Sequence, residues 1–144
     1  MGDFSLAFQN ITTKSIKKTE NVIKKTVFDF TSSIISDTPV DTSRAKNNWF
    51  VTFDTPNDNT FRTLDETGSV AINKASDKII NNKVPMVYWI QNNLPYIAKL
   101  EFGLYPKTST TGKTLNGYSV KAPMGFVRIN VSRFNKYLKD NIKW

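Results

Sequence analysis

The chain has 144 residues, enough for one domain with a real core and short for two. Hydrophobic residues make up 39%, with ten Phe, five Tyr and three Trp, which excludes wholesale disorder. Twenty Lys and Arg against twelve Asp and Glu leave +8, favouring acidic or nucleic-acid neighbours; the absence of Cys and His excludes disulfides, thiol nucleophiles, Cys/His zinc sites and the commonest general base near neutral pH.

The segment Met1 to Phe8 has no basic stretch leading into an apolar run. The longest mostly apolar stretch, Val84 to Ile90, is far below the roughly 20 residues of a membrane helix. Both point to a protein made soluble in the cytoplasm, for which the Asn-x-Ser/Thr triplets at Asn10 and Asn130 carry no glycosylation meaning. From Thr12 to Ser36 the residues Ile16, Ile23, Val27, Phe30 and Ile34 recur at helical intervals, with Lys14, Lys17, Lys18, Lys24 and Lys25 largely opposite. This predicts an amphipathic helix of about 38 Å, stopped before Pro39, which biases Thr38 out of the helical region. Val40 to Asn48 reads as a polar connection.

Trp49 to Phe53 alternates as a half-buried strand, and Asp54 to Thr60 is turn chemistry. Ser69 to Asn81 reads as a short helix with Ile72, Ala75 and Ile79 on one stripe and Ser69 as N-cap. Val84 to Gln91 is apolar on both faces, the pattern of a central strand covered by helices or by a neighbouring subunit. Pro95 suits the first turn of a short helix through Leu100, ended by Gly103 and Pro106. Leu104 to Ala122 is long for a connection and reads as a hairpin that orders against a partner in preference to a mobile loop. Val127, Val131, Phe134 and Leu138 predict a last helix whose outer face carries Arg128, Lys136, Lys139 and Lys143.

Catalytic chemistry finds no footing in these segments. Gly112-Lys113-Thr114 resembles the end of a phosphate-binding loop, but Lys107 stands where that loop needs its first glycine, and neither a preceding strand nor a following amphipathic helix supports a phosphate cradle. Asp37, Asp41, Asp54, Asp65 and Glu66 lack metal-ligand spacing and suit surface or capping roles; Asp41, in a turn-forming Asp-Thr-Ser, is also in reach of Arg44. The expectation is a non-enzyme with no catalytic residue, metal site or cofactor. Basic helix faces and plentiful aromatics leave nucleic-acid binding as the alternative, although the aromatics fall on apolar stripes and strands.

Three segments together resemble the small tail-completion or neck proteins of tailed phages with long tails. Thr38-Pro-Val-Asp-Thr-Ser-Arg-Ala-Lys-Asn-Asn-Trp49 is similar to that family's Thr-Pro-Val-Asp-Thr-Gly-Arg-Ala followed by a strand-opening Trp, with Ser43 where Gly is usual. Tyr88-Trp-Ile-Gln-Asn-Asn-Leu-Pro-Tyr-Ile-Ala-Lys-Leu-Glu-Phe-Gly103 is similar to its strand, Asn-Leu-Pro-Tyr turn and Leu-Glu-Tyr-Gly helix end. Lys121-Ala-Pro-Met-Gly-Phe-Val-Arg128 resembles the Gln-Ala-Pro-x-Gly-Met-Val that leads into its last helix.

The resemblance implies a tail-terminator-like α+β subunit, a single domain in which a long N-terminal helix and a C-terminal helix pack on an antiparallel sheet. It implies a homohexameric ring in the virion neck, partnered by the tail tube or terminator and the head-tail connector, with non-specific contact to DNA in the channel and none to membrane. Pro39, Asp41, Arg44, Trp49, Pro95, Tyr96, Glu101, Gly103, Pro123 and Gly125 then carry structural roles: Asp41 and Arg44 fix a turn, Trp49 anchors the sheet, Pro95 and Tyr96 set a bend, and Gly103 stops a helix. Lys107, Lys113, Tyr118 and Lys121 in the long loop are the expected subunit contacts.

Overall fold

The computed structural model describes residues 2–41 and 43–141; Thr42 of the first motif and Lys143 of the last basic face lie outside them. The first helix, α1, runs Gly2–Asp37, starting before the predicted Thr12 and reaching about 54 Å. In the added turns Phe4, Phe8 and Ile11 keep a helical i, i+4, i+7 spacing of their own. Its threonines are accommodated by donating to the carbonyl four residues back, as Thr12 does to Phe8 and Thr31 to Val27, both at 2.8 Å. Thr38 closes the helix, its amide and hydroxyl both donating to Ile34 O, and Pro39 follows.

A 3-10 turn, Lys46–Asn48, leads into β1, Trp49–Phe53. Next come α2 (Ser69–Ile80), β2 (Tyr88–Asn92) and α3 (Ile97–Phe102). A small hairpin of β3 (Thr114–Leu115) and β4 (Tyr118–Ser119) precedes α4, Val127–Asn141. β1 and β2 pair antiparallel with Trp49 opposite Asn92 and Phe53 opposite Tyr88, and β3–β4 forms a second two-stranded sheet. The fold is α+β: a long N-terminal helix and a C-terminal helix assembled with small antiparallel sheets.

The core forms where the C-terminal half of α1 meets α2 and the sheet. Ile34, Ile35, Trp49, Ala71, Ala122 and Phe126 make one cluster, and Val51, Ala75 and Ile79 make a second with Val27, Phe28, Phe53 and Tyr88 packed against it. α2 lies antiparallel to α1: Ala71, near its start, shares a cluster with Ile35, while Ile80 O, at its end, accepts from Lys24 Nζ at 3.0 Å. α4 returns along the same helix, with Asn130 and Arg133 donating to Asp37 and Phe134 stacking on Phe30 at 4.7 Å.

Four sequence expectations need correction. β2 is not central: it begins at Tyr88 and pairs only with β1, with Tyr88 and Ile90 packed on the core and Val87 and Trp89 48% and 41% exposed, so only one of the two apolar faces is covered within the subunit. Ser69 does not cap α2. Gly68 holds that position, and the Asp65 carboxylate accepts from Ser69 Oγ and the Val70 amide. Pro95 precedes α3, which starts at Ile97, because the turn before it is closed by Asn92 Oδ1 accepting from the Leu94 amide. In α4 the expected apolar stripe is broken: Val131 is exposed, whereas Asn130 is buried, its amide shared between Asp37 Oδ2 and Phe126 O.

Candidate functional site

The three motif segments, far apart in sequence, meet at one end of the molecule. Trp49, from the first, is buried, donates from Nε1 to Thr38 Oγ1 at 2.9 Å, and sets its ring edge-on to Phe126 of the third at 6.3 Å. Asn92, from the second, donates to Ala45 O of the first at 2.8 Å. Lys121 Nζ reaches Val40 O at 3.3 Å, closing the triangle between third and first.

Glu101 is the centre of this junction. It sits on the last turn of α3 with its carboxylate against the start of α4, where Oε2 accepts from the Phe126 and Val127 amides at 2.8 Å and Oε1 from the Arg128 amide and Nε at 3.0 Å. Those amides have no partner within the helix, and the helix dipole concentrates positive potential on them, so a carboxylate is the natural cap. Burial pushes the Glu101 carboxyl up, but the three amides and the guanidinium outweigh it and hold the group below the ordinary carboxylate range. A Cβ on Gly125, at φ +81, would stand 2.6 Å from Glu101 O, so only glycine lets the chain pass this close.

Gly103 ends α3 in the left-handed conformation, as its place after the helix predicts, and the Tyr118 ring lies where its Cβ would be, 2.3 Å away. The ring therefore pins the hairpin onto α3, and Arg128 Nη2 donates to Tyr118 Oη at 3.3 Å. Ser43 adopts φ +61, a left-handed conformation that favours glycine. Asp41 does not pair with Arg44; its Oδ1 accepts from Lys113 Nζ at 2.7 Å across the junction. Pro39 is buried, Pro95 and Pro123 are exposed, and Tyr96 is half-buried.

Of the four expected subunit contacts, Lys113, Tyr118 and Lys121 are thus engaged within the subunit, and Lys107 is exposed at the loop surface. The loop 104–122 folds back beside the turn after α1 and beside α3, leaving an open groove of about 850 Å³ lined by Val40, Arg44, Tyr96, Leu100, Tyr105 and Lys113, among others. Arg44 Nε is buried at this edge without a hydrogen-bond partner among the described residues. The groove has a mixed apolar and cationic lining and no carboxylate pair.

Among the described residues no group of His, Cys, Asp and Glu is placed to hold a metal ion, and no helix is long and apolar enough to cross a membrane. Lys14, Lys17, Lys18 and Lys25 share one exposed strip of α1, and Arg128, Lys136 and Lys139 another on α4. Sequence reasoning overlooked Asn48, fully buried, which accepts from the Phe61 amide at 2.6 Å and donates to Arg44 O and Phe61 O, so that it holds the 54–66 loop to the first motif. Its only signal was a polar residue immediately before a strand. Comparison with family models, curated proteins and solved structures finds no match to this chain.

Proposed function

We propose that this chain is a structural virion protein, a ring-forming subunit at the neck of a tailed phage that completes the tail and joins it to the head connector. The observation that carries the reading is the convergence of the three phage-like segments into one braced junction, in which Trp49, Glu101, Gly103 and Gly125 hold helix ends and a strand together. Residues shared with a catalytic family would be expected to converge on a cleft of reactive groups; these lock a scaffold. Its partners on this reading are copies of itself, as a homohexamer matching tail symmetry, the tail tube or terminator, and the connector. A basic exposed surface suits non-specific contact with DNA in a central channel.

Cryo-electron microscopy of the intact particle, locating the chain between portal and tail tube, tests the assignment directly. Solution mass of the purified protein, alone and with its tail or connector partner, tests the ring; absence of a ring in both conditions counts against it. The lysine strip on α1 favours a second reading, a basic nucleic-acid-binding protein. That reading requires binding to duplex DNA that weakens steeply with salt, because each neutralised phosphate releases counterions. A flat salt response rejects it.

A further inference from the structure

The N-terminal half of α1 is a long arm that none of the described residues covers. Residues 2–19 are all exposed, and the helix meets the body from Glu20, which is half-buried and close to Tyr88, through Lys24, which bonds the last turn of α2, to Val27, which joins the core. Because α2 runs antiparallel to α1 and ends at Ile80, beside Lys24, the 2–19 segment projects beyond the body by about 27 Å. This segment is rich in Phe, Ile, Thr and Asn, which are weak helix formers, and an isolated helix of its length is marginal in water. A packed partner accounts for its helicity.

The face to be covered is apolar. Phe4 and Phe8 are 78% and 62% exposed and stack at 6.5 Å. They align with Ile11 at the i, i+4, i+7 spacing by which amphipathic helices enter grooves. At about 200 Å² per Phe, Phe4 and Phe8 leave about 280 Å² uncovered, and with roughly 100 Å² from Ile11 the strip comes to about 400 Å². A stable interface takes about 800 Å² per partner, so the strip supplies about half of one side, and an exposed apolar patch of a few hundred Å² is often functional.

The molecule also carries a surface that fits the strip. The junction groove lies at the opposite end, beside the C-terminus of α1, with Val40, Leu100, Tyr96 and Tyr105 for the apolar anchors and Arg44 for Asp3 at the tip of the arm, while Lys113 there is held by Asp41. A projecting ridge at one end and a groove at the other, on a chain too rigid for the two to meet internally, are the elements of a head-to-tail contact. From this geometry we infer that the arm of one copy lays Phe4, Phe8 and Ile11 into the junction groove of a second copy. The inference rests on the ring reading only for the number of copies joined.

The chain has no cysteine, so single cysteines can be introduced cleanly. Full-length protein carrying Ser5→Cys, beside the anchors, is mixed with protein carrying Thr110→Cys, at the groove, and treated with a short bismaleimide; Asp58→Cys, in the loop after β1, replaces Thr110→Cys as control. The expected result is a dimeric product with Thr110→Cys and none with Asp58→Cys. The Phe4→Asp/Phe8→Asp variant should weaken self-association at least tenfold while the thermal midpoint of the body stays unchanged. Wild-type assembly by that variant, or cross-linking at the control position instead, overturns the arm contact and leaves the ring reading standing. A specific cross-link in a protein that never exceeds two copies keeps the arm contact and removes the ring. Absence of any self-association removes both. Binding to phosphatidylserine vesicles that the double variant loses, without cross-linking in the wild type, assigns the face to a membrane surface and overturns the inference.

Discussion

Replacing Glu101 by Ala should be among the most damaging single changes outside the hydrocarbon core. The side chain satisfies the Phe126, Val127 and Arg128 amides at the positive end of α4, and Phe126 is 1% exposed, so water has poor access to at least its amide and that of Val127. Leaving a buried donor unsatisfied costs about 1–3 kcal/mol and losing a charge at a helix end about 0.3–1 kcal/mol, so the variant should lose roughly 3–4 kcal/mol. That is a large share of the roughly 5–15 kcal/mol of a typical domain. Urea unfolding followed by tryptophan fluorescence and far-ultraviolet circular dichroism measures it, with an unchanged denaturant slope confirming that the same surface unfolds. Glu101→Gln keeps an acceptor without the charge and should lose about half as much.

The pH dependence supplies an independent check. The folded carboxyl titrates below its ordinary value of 4.5, so its contribution is fully present above that pH and is lost as the pH falls through the depressed folded value. The stability difference between wild type and Glu101→Gln should therefore shrink as the pH drops below 4.5. Asp65, also held low, by the Thr67 hydroxyl first and then the Val70 amide, is common to both proteins and cancels. A loss below 1 kcal/mol for Glu101→Ala, or a wild-type-to-Gln difference that is flat with pH, would refute the capping argument.

Trp49→Ala should cost about 3–5 kcal/mol, since it empties a buried site against Phe126 and removes the indole N–H that donates to Thr38 Oγ1; an unfolding free energy within about 1 kcal/mol of wild type would make Trp49 peripheral. Ser43→Gly should stabilise by about 0.5–1 kcal/mol, the relief of a left-handed L-residue at φ +61 less the extra freedom glycine gives the unfolded chain. A calorimetric midpoint that falls instead would show that the Ser43 side chain supports the turn. Asp41→Asn should change stability by less than about 1 kcal/mol, because both partners of the Lys113 pair are more than 60% exposed on their side chains. Gly125→Ala, by contrast, should prevent the docking of α4 on Glu101 and lower the thermal midpoint by several degrees.

How much of this was readable before folding depends on the range of the interaction. Local periodicity located most of the elements, because the spacing of Val27, Phe30 and Ile34, the alternation of Trp49 to Phe53 and the Gly103 stop are set by neighbours a few residues away. The same local logic misplaced β2 in a sheet centre: an apolar run records that something covers both faces, and cannot distinguish a second strand from another molecule. It also missed Asn48 and the role of Glu101, whose partners lie 13 and 25 to 27 residues away.

Composition by itself removed Cys- and His-dependent chemistry, since that follows from which side chains exist, and local pattern supplied helices and strands compatible with the α+β class that the resemblance implied. Only the tertiary structure decided that Asp41 pairs with Lys113 and not Arg44, that Ser43 takes a left-handed turn, and that the second and third motifs share one carboxylate at the head of α4. It also revealed that the first ten residues of α1, which periodicity had left outside the helix, extend it into an uncovered arm. Those outcomes depend on which distant groups the packed chain brings within hydrogen-bond reach, and on which apolar faces it leaves unpaired, quantities that no local window contains.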